Sequence, residues 1–216
     1  AKAFSMVNGR NQLCSCGSGL RFKQCCGKIE QQDRHPPIHA LTSVRIVDDI
    51  SVVVPDSLEL ISPYILREQE SWFEAELPFL RRFVQTGMSA IDIGANFGIY
   101  TLLLARLVGD QGRVWAIEPA SFTASCLAKS VDQNGLSNVK VVQVALSNRR
   151  GTAMLALNDN AELNSLTSDA GLRSEEVPTM TLDECKQEFG WRRIDFVKLD
   201  AEGEESNILR GGERFF

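Results

Sequence analysis

From residue 88 to residue 209 the chain alternates short apolar, β-branched runs with stretches whose apolar side chains recur every three or four positions, and nothing else in it constrains the fold as strongly. Strands are expected at 88–93, 113–117, 139–144, 151–157 and 194–199. Helices are expected at 98–108, 121–134, 181–189 and 204–209, the last with Gly211 as a left-handed cap. Upstream, 44–54 reads as β-branched strand up to Pro55. Residues 68–85 place Trp72, Phe73, Leu77, Leu80, Phe83 and Val84 at helical intervals, with Pro78 as a kink or break. Residues 158–174, polar and poor in glycine, read as a long loop near the active face. Strands and helices alternating at these lengths predict an α/β architecture around a mostly parallel sheet.

In such sheets ligands collect at the carboxyl ends of the strands. The first expected strand runs into Asp92-Ile93-Gly94-Ala95-Asn96-Phe97-Gly98. Glycine at 94 and 98 permits a tight turn and lets a ligand come close to the backbone, while Asp92 offers a carboxylate to an ammonium group. The next strand closes in Glu118-Pro119, an acid placed to grip a ribose diol. A third ends in Lys198-Leu199-Asp200-Ala201-Glu202-Gly203, an apolar run terminated by carboxylates. Any one of these is equally well a turn residue or a helix cap; three at successive strand ends of one sheet are harder to dismiss. A dinucleotide oxidoreductase would carry Gly-x-Gly-x-x-Gly over a pyrophosphate. Here the loop is Gly-x-Asn-x-Gly, and Asp92 ahead of it would repel a pyrophosphate.

The segments Asp92 to Gly98, Glu118-Pro119, Val141-Val-Gln-Val-Ala145-Leu-Ser, Thr181-Leu-Asp183 and Lys198-Leu-Asp200-Ala-Glu202-Gly203-Glu-Glu205 resemble the FkbM family of S-adenosylmethionine-dependent methyltransferases, over roughly residues 52–216. The resemblance implies a Rossmann-like class I methyltransferase sheet, with O-methylation of a hydroxyl on a sugar, glycolipid or secondary metabolite as the usual reaction. Carried onto this chain, it implies that Asp92, Gly94, Ala95, Asn96, Phe97 and Gly98 hold the methionine part of the cofactor. Glu118 and Pro119 would hold the ribose, and the strand end with Val144 and Ala145 would border the adenine. Asp200 is the expected base for the acceptor hydroxyl, with Glu202 assisting and Lys198 orienting either carboxylate. The alternative for Asp200 and Glu202 is that they cap the following helix. The family's sheet continues beyond the fourth strand, so the domain at 44–216 is expected to be C-terminally incomplete, leaving 194–199 at a sheet edge.

Four of the six cysteines fall within residues 11–28, as Cys14-x-Cys16 and Cys25-Cys26. Disulfides would need an exported chain, and residues 1–10 lack the apolar core of a signal peptide, which points to a cytoplasmic protein. Two short thiol pairs on either side of a loop with Gly17 and Gly19 can instead wrap one zinc ion tetrahedrally. The string from Asn11 to Gly27 closely resembles the SEC-C motif, the short zinc module at the end of the SecA translocation ATPase. That resemblance implies a structural Zn²⁺ on Cys14, Cys16, Cys25 and Cys26, and a docking role toward a protein partner, over a module at 8–30. His35-Pro-Pro-Ile-His39 then belongs to a stiff linker at 31–43. Cys126 and Cys185, set among apolar residues at helical spacing, read as buried small hydrophobes.

With 216 residues, 44% of them apolar, the chain can form one substantial core and a small appendage. Residues 1–34 carry six basic and two acidic side chains. That is +4 of a net charge of −5, so the remainder holds −9. The positive excess balances four thiolates on a zinc ion as readily as it binds a phosphate backbone. The acidic body, and the lack of an Asn/Asp-Pro-Pro-Tyr or Pro-Cys sequence, make nucleic acid a poor candidate for the acceptor. No stretch is apolar enough to span a membrane. The acceptor is therefore expected to be a small molecule or a glycan hydroxyl. The competing class is a zinc-anchored interaction adaptor whose α/β body is non-catalytic.

Overall fold

The structure, a computed structural model, describes residues 20–21, 40–70, 72, 74, 76–167 and 173–216. Two compact units divide the chain at 1–39 and 40–216. The cysteines at 14, 16, 25 and 26 and the histidines at 35 and 39 lie outside the described residues.

The second unit begins with β1 (Leu41–Ile46), β2 (Ile50–Pro55), α1 (Ile61–Gln69) and α2 (Glu76–Phe83). Next come β3 (Ser89–Ile93), α3 (Ile99–Val108), β4 (Arg113–Ile117), α4 (Ser121–Gln133) and β5 (Val139–Val142). The remainder comprises β6 (Ala145–Leu146), β7 (Gly151–Ala156), β8 (Ser165–Thr167), β9 (Ser174–Met180), α5 (Leu182–Glu188), β10 (Phe196–Leu199) and α6 (Glu205–Arg210).

The parallel sheet expected from the sequence is present, with four strands in the order β10-β3-β4-β5. Its alternation of side chains builds two cores. Ala90, Val114 and Ala116 face one way, joining Leu102 and Leu104 of α3, Leu127 of α4, and the β1–β2 hairpin. Ile91, Ile93 and Ile117 face the other way, onto Val144, Leu146, Leu182, Trp191 and Ile208. A fully buried Leu or Ile contributes roughly 1.5–3 kcal/mol, so these two layers hold the sheet rigidly enough to carry a site on its strand tips. Ser130 of α4 and Asn134 just after it bind the β2 backbone, the first accepting from Val53 N at 2.8 Å and the second from Ser51 N at 2.9 Å.

Several boundaries differ from the sequence reading. The run at 44–54 is a hairpin, because Asp48 and Asp49 adopt left-handed conformations that turn the chain. Of the helix expected at 68–85, Glu76–Phe83 forms α2, while residues 68 and 69 end the separate α1, with Glu70 left-handed after it; Pro78 lies in the first turn of α2, where no amide is needed. Residues 139–144 leave the parallel sheet at Val142 and continue as β6 in a second sheet, β6-β9-β7-β8. The expected loop at 158–174 contributes β8 and a 3-10 turn, Ala161–Leu163, and β9 begins at its end. Gly211 has φ −76 and is not left-handed; a Cβ there would collide with the Ser147 carbonyl, so close packing requires the glycine. Among the described residues β10 pairs on one side only, with β3.

Candidate cofactor and active site

After β3 the chain turns through Gly94 (φ 74), Asn96 (φ 51) and Gly98 (φ 92) into α3. The amides of Gly94 and Ala95 both donate to the Ile117 carbonyl at 3.0 Å, which ties the turn to the end of β4. Packing against protein alone already requires both glycines. A Cβ on Gly94 would run into the Asp200 carbonyl, and one on Gly98 into the Leu127 side chain. Asn96 holds a left-handed conformation that few residues other than glycine tolerate, and its Oδ1 is buried without a hydrogen-bond partner.

Glu118 closes β4, as the sequence reading expects, and is only 6% exposed. Its Oε2 accepts from Asn96 N at 2.7 Å, and its Oε1 accepts from Ala120 N at 3.0 Å and Thr123 Oγ1 at 2.8 Å. Three donors fix the carboxylate in one rotamer while Oε2 keeps acceptor capacity. Burial pushes its pKa up, against the pull of those hydrogen bonds.

At the end of β10, Asp200 and Glu202 reach the same cleft, Glu202 in a left-handed conformation with φ 46. Neither caps α6. Glu205, the first residue of α6, instead ties down the turn ahead of the helix: its carboxylate accepts from Ala201 N at 2.9 Å and Gly203 N at 3.1 Å, and backbone amides hold it below its ordinary pKa. Glu202 goes the other way, raised by desolvation and then by the charges of Asp200 and Glu205. Lys198 Nζ donates to Asp200 Oδ2 and to the Gly94 carbonyl, each at 3.3 Å.

Asp92 departs from its expected place. It is 0% exposed and does not line the cleft. Its Oδ2 accepts from Thr101 Oγ1 at 2.6 Å, and the cation facing its Oδ1 is the protein's own Lys198 at 3.8 Å.

These strand ends open on a cleft of about 1100 Å³ including its mouth. It brings together Gly94, Ala95, Asn96, Phe97, Gly98, Glu118, Pro119, Val144 and Ala145 with Lys198, Asp200 and Glu202. Further lining residues were not expected at the site from sequence. Ser62 comes from α1; Trp72 and Glu74 precede α2, with Glu74 accepting from the Tyr100 hydroxyl; Glu162 comes from the 3-10 turn. Glu162 Oε1 is buried without a partner, and burial followed by the charge of Glu202 raises its pKa. The polar character of 158–174 located this wall coarsely, but nothing local distinguished Glu162 from its neighbours. Cys126 and Cys185 are buried, as expected, with burial pushing their thiols up to about 11 and about 12. Among the described residues no group of three or more His, Cys, Asp or Glu side chains is set to hold a metal, and no helix is long and apolar enough to cross a membrane.

A parallel sheet with a cleft at the carboxyl ends of its strands, a tight turn after one strand and an acid closing the next, defines a Rossmann-like α/β protein. The chain belongs to the methyltransferase FkbM domain family, whose profile matches residues 92–216, and carries a SEC-C motif at residues 10–28. Methyltransferase sdnD of Sordaria araneosa is 29% identical, the match covering 56% of this chain and 59% of that protein. Protein translocase subunit SecA 1 of Magnetococcus marinus is 71% identical over 21 residues, 10% of this chain and 2% of that one. Among solved structures, methyltransferase FkbM from Methylobacillus flagellatus KT is 21% identical with a TM-score of 0.39, over 60% of this chain and 30% of that chain. The chain thus spans about three fifths of the Sordaria relative's length.

Proposed function

We propose that residues 40–216 form an S-adenosylmethionine-dependent methyltransferase domain that methylates a hydroxyl of a small-molecule or glycan acceptor, such as a sugar, glycolipid or secondary metabolite. The observation that carries this reading is Glu118, a buried carboxylate locked by three donors at a strand tip, which lines the cleft beside Asn96. The donor set fits the cofactor. Glu118 suits a ribose diol, Asn96 and Pro119 border it, and Ile117, Val144 and Ala145 offer an apolar wall to a flat base. Among the described residues of the lining, Glu74, Glu118, Glu162, Asp200, Glu202 and Glu204 face Lys198 as the one lysine or arginine, a field that favours a cationic ligand.

The cofactor supplies a methyl group on a sulfonium, already a good leaving group, so the protein's task is alignment and proton removal. Asp200, exposed at the cleft and held by Lys198, is the base we assign to the acceptor hydroxyl; Glu202 stands beside it, its raised pKa closer to that of a working base. This carboxylate pair would take up the proton that the acceptor hydroxyl gives up when the bound cofactor supplies its methyl group, the thioether leaving as the sulfur–methyl bond breaks.

For the N-terminal motif we propose a structural zinc on Cys14, Cys16, Cys25 and Cys26. Four soft thiolates are a complete tetrahedral donor set and suit a reducing compartment such as the cytoplasm. The module would then offer a docking surface to a protein partner.

Calorimetric titration with S-adenosylhomocysteine tests the reading. One saturable site is expected, weakened at least tenfold by Glu118→Ala. A folded chain that binds neither this ligand nor S-adenosylmethionine would leave the adaptor reading in its place.

A further inference from the structure

Asp92 is a fully buried acid whose same-face neighbours on β3 and β4 are apolar. Ala90 on β3 and Val114 and Ala116 on β4 belong to the core beneath α3, and Asp92 shares the parity of Ala90. The register pairs Lys198 with Asp92, so the lysine leaves the adjacent strand toward the same face. There its ammonium lies 4.9 Å from the centre of the Tyr100 ring, donates to Gly94 O and Asp200 Oδ2, and faces Asp92 Oδ1 at 3.8 Å. Thr101 of α3 fills the acid's other oxygen, and Oδ1 has no hydrogen bond.

Lys198 lines the cleft, with 17% of its side chain exposed, whereas Asp92 does not line it. A ligand ammonium seeking Asp92 would therefore meet a like charge already in place, and like charges at close range repel. The pair also constrains itself. A buried carboxylate that loses its only cation is strongly destabilising, while replacing both partners by neutral groups is far milder.

We propose that Asp92 is a positioning residue that acts through Lys198, fixing the lysine that orients Asp200, and that it makes no contact with the amino-acid portion of the bound nucleoside. This rests on the methyltransferase reading for the identity of the ligand, but not for the coupling of the pair.

The test compares S-adenosylhomocysteine with 5′-methylthioadenosine, which lacks the amino-acid portion, by calorimetry on the full chain. In Asp92→Asn both affinities change by the same factor, leaving their ratio within threefold of the wild-type ratio. A larger fall in the ratio means that Asp92 grips the ligand ammonium directly and overturns the proposal. Two readouts need no ligand. The ¹⁵N ammonium signal of Lys198, assigned by its loss in Lys198→Met, shifts in Asp92→Asn; an unmoved signal overturns the coupling. Lys198→Met melts below wild type, and Asp92→Asn/Lys198→Met melts above Lys198→Met; a double variant no more stable than Lys198→Met also overturns it. If wild type binds neither nucleoside, the methyltransferase reading fails, while the spectroscopic and melting results still decide the role of Asp92 toward Lys198.

Discussion

Replacing Gly94 with alanine separates a glycine needed by the protein from one reserved for a ligand. The residue sits at φ +74, where an alanine costs about 1–2 kcal/mol, and its Cβ would overlap the Asp200 backbone carbonyl. Relieving that overlap moves the tip of β10 or the turn, an overpacking cost of about 1–3 kcal/mol. Gly190 provides the control: it has φ +65 and no atom within 4 Å of an added Cβ, so Gly190→Ala carries the backbone cost alone. In a domain of this size about 2–4 °C of melting temperature corresponds to each kcal/mol. Gly94→Ala should therefore melt about 2–12 °C below Gly190→Ala, following from the overpacking cost. Thermal melts by circular dichroism without any ligand read this directly. If Gly94→Ala melted level with or above Gly190→Ala, the close approach of β3 and β10 would carry no energetic weight and the packing account of this turn would be wrong.

The other expectations are simpler to check. Glu205→Ala should cost about 1 kcal/mol in chemical denaturation, for the hydrogen bonds it gives up to the backbone of the turn at 201–203, whereas Glu202→Ala should cost under about 0.5 kcal/mol; the reverse order would contradict the assignment of that turn to Glu205. Burial raises Glu118 above its ordinary value of 4.5, so the native state keeps this proton longer than the unfolded chain. Its contribution to stability therefore falls as pH rises from 4.5 through the raised native value. The melting temperature of Glu118→Gln relative to wild type should accordingly rise across that window, and a flat difference contradicts the burial argument. Metal analysis of protein purified without chelator should find about one zinc per chain, lost in Cys14→Ser/Cys25→Ser; a metal-free wild type contradicts the four-thiolate site.

Strand identity was legible because β3, β4 and β10 are short apolar runs that end abruptly in acids or glycine, and such endings are local. The same locality explains what was not legible. β9, Ser-Glu-Glu-Val-Pro-Thr-Met, looks unlike a strand because Pro178 and two glutamates hide a segment whose pairing comes from β7 and β6. α1 was masked by the stronger periodicity of the residues after it, and the 44–54 hairpin by two aspartates that only the turn shows to be left-handed. At the site, the cleft residues from Gly94 to Gly98, together with Glu118, Asp200 and Glu202, could be picked out from their strand-end positions. The burial of Asp92 could not, since it depends on a register with Lys198, 106 residues away. Nor could the division of labour among Glu202, Glu204 and Glu205, which differ only in where the turn aims them.

The most direct measurement is a crystal structure of the full chain with S-adenosylhomocysteine. The ribose hydroxyls should lie within hydrogen-bonding distance of the Glu118 carboxylate, and the thioether sulfur should face Asp200. A nucleoside bound elsewhere on the molecule, or a phosphate-bearing coenzyme occupying this cleft instead, would contradict the account.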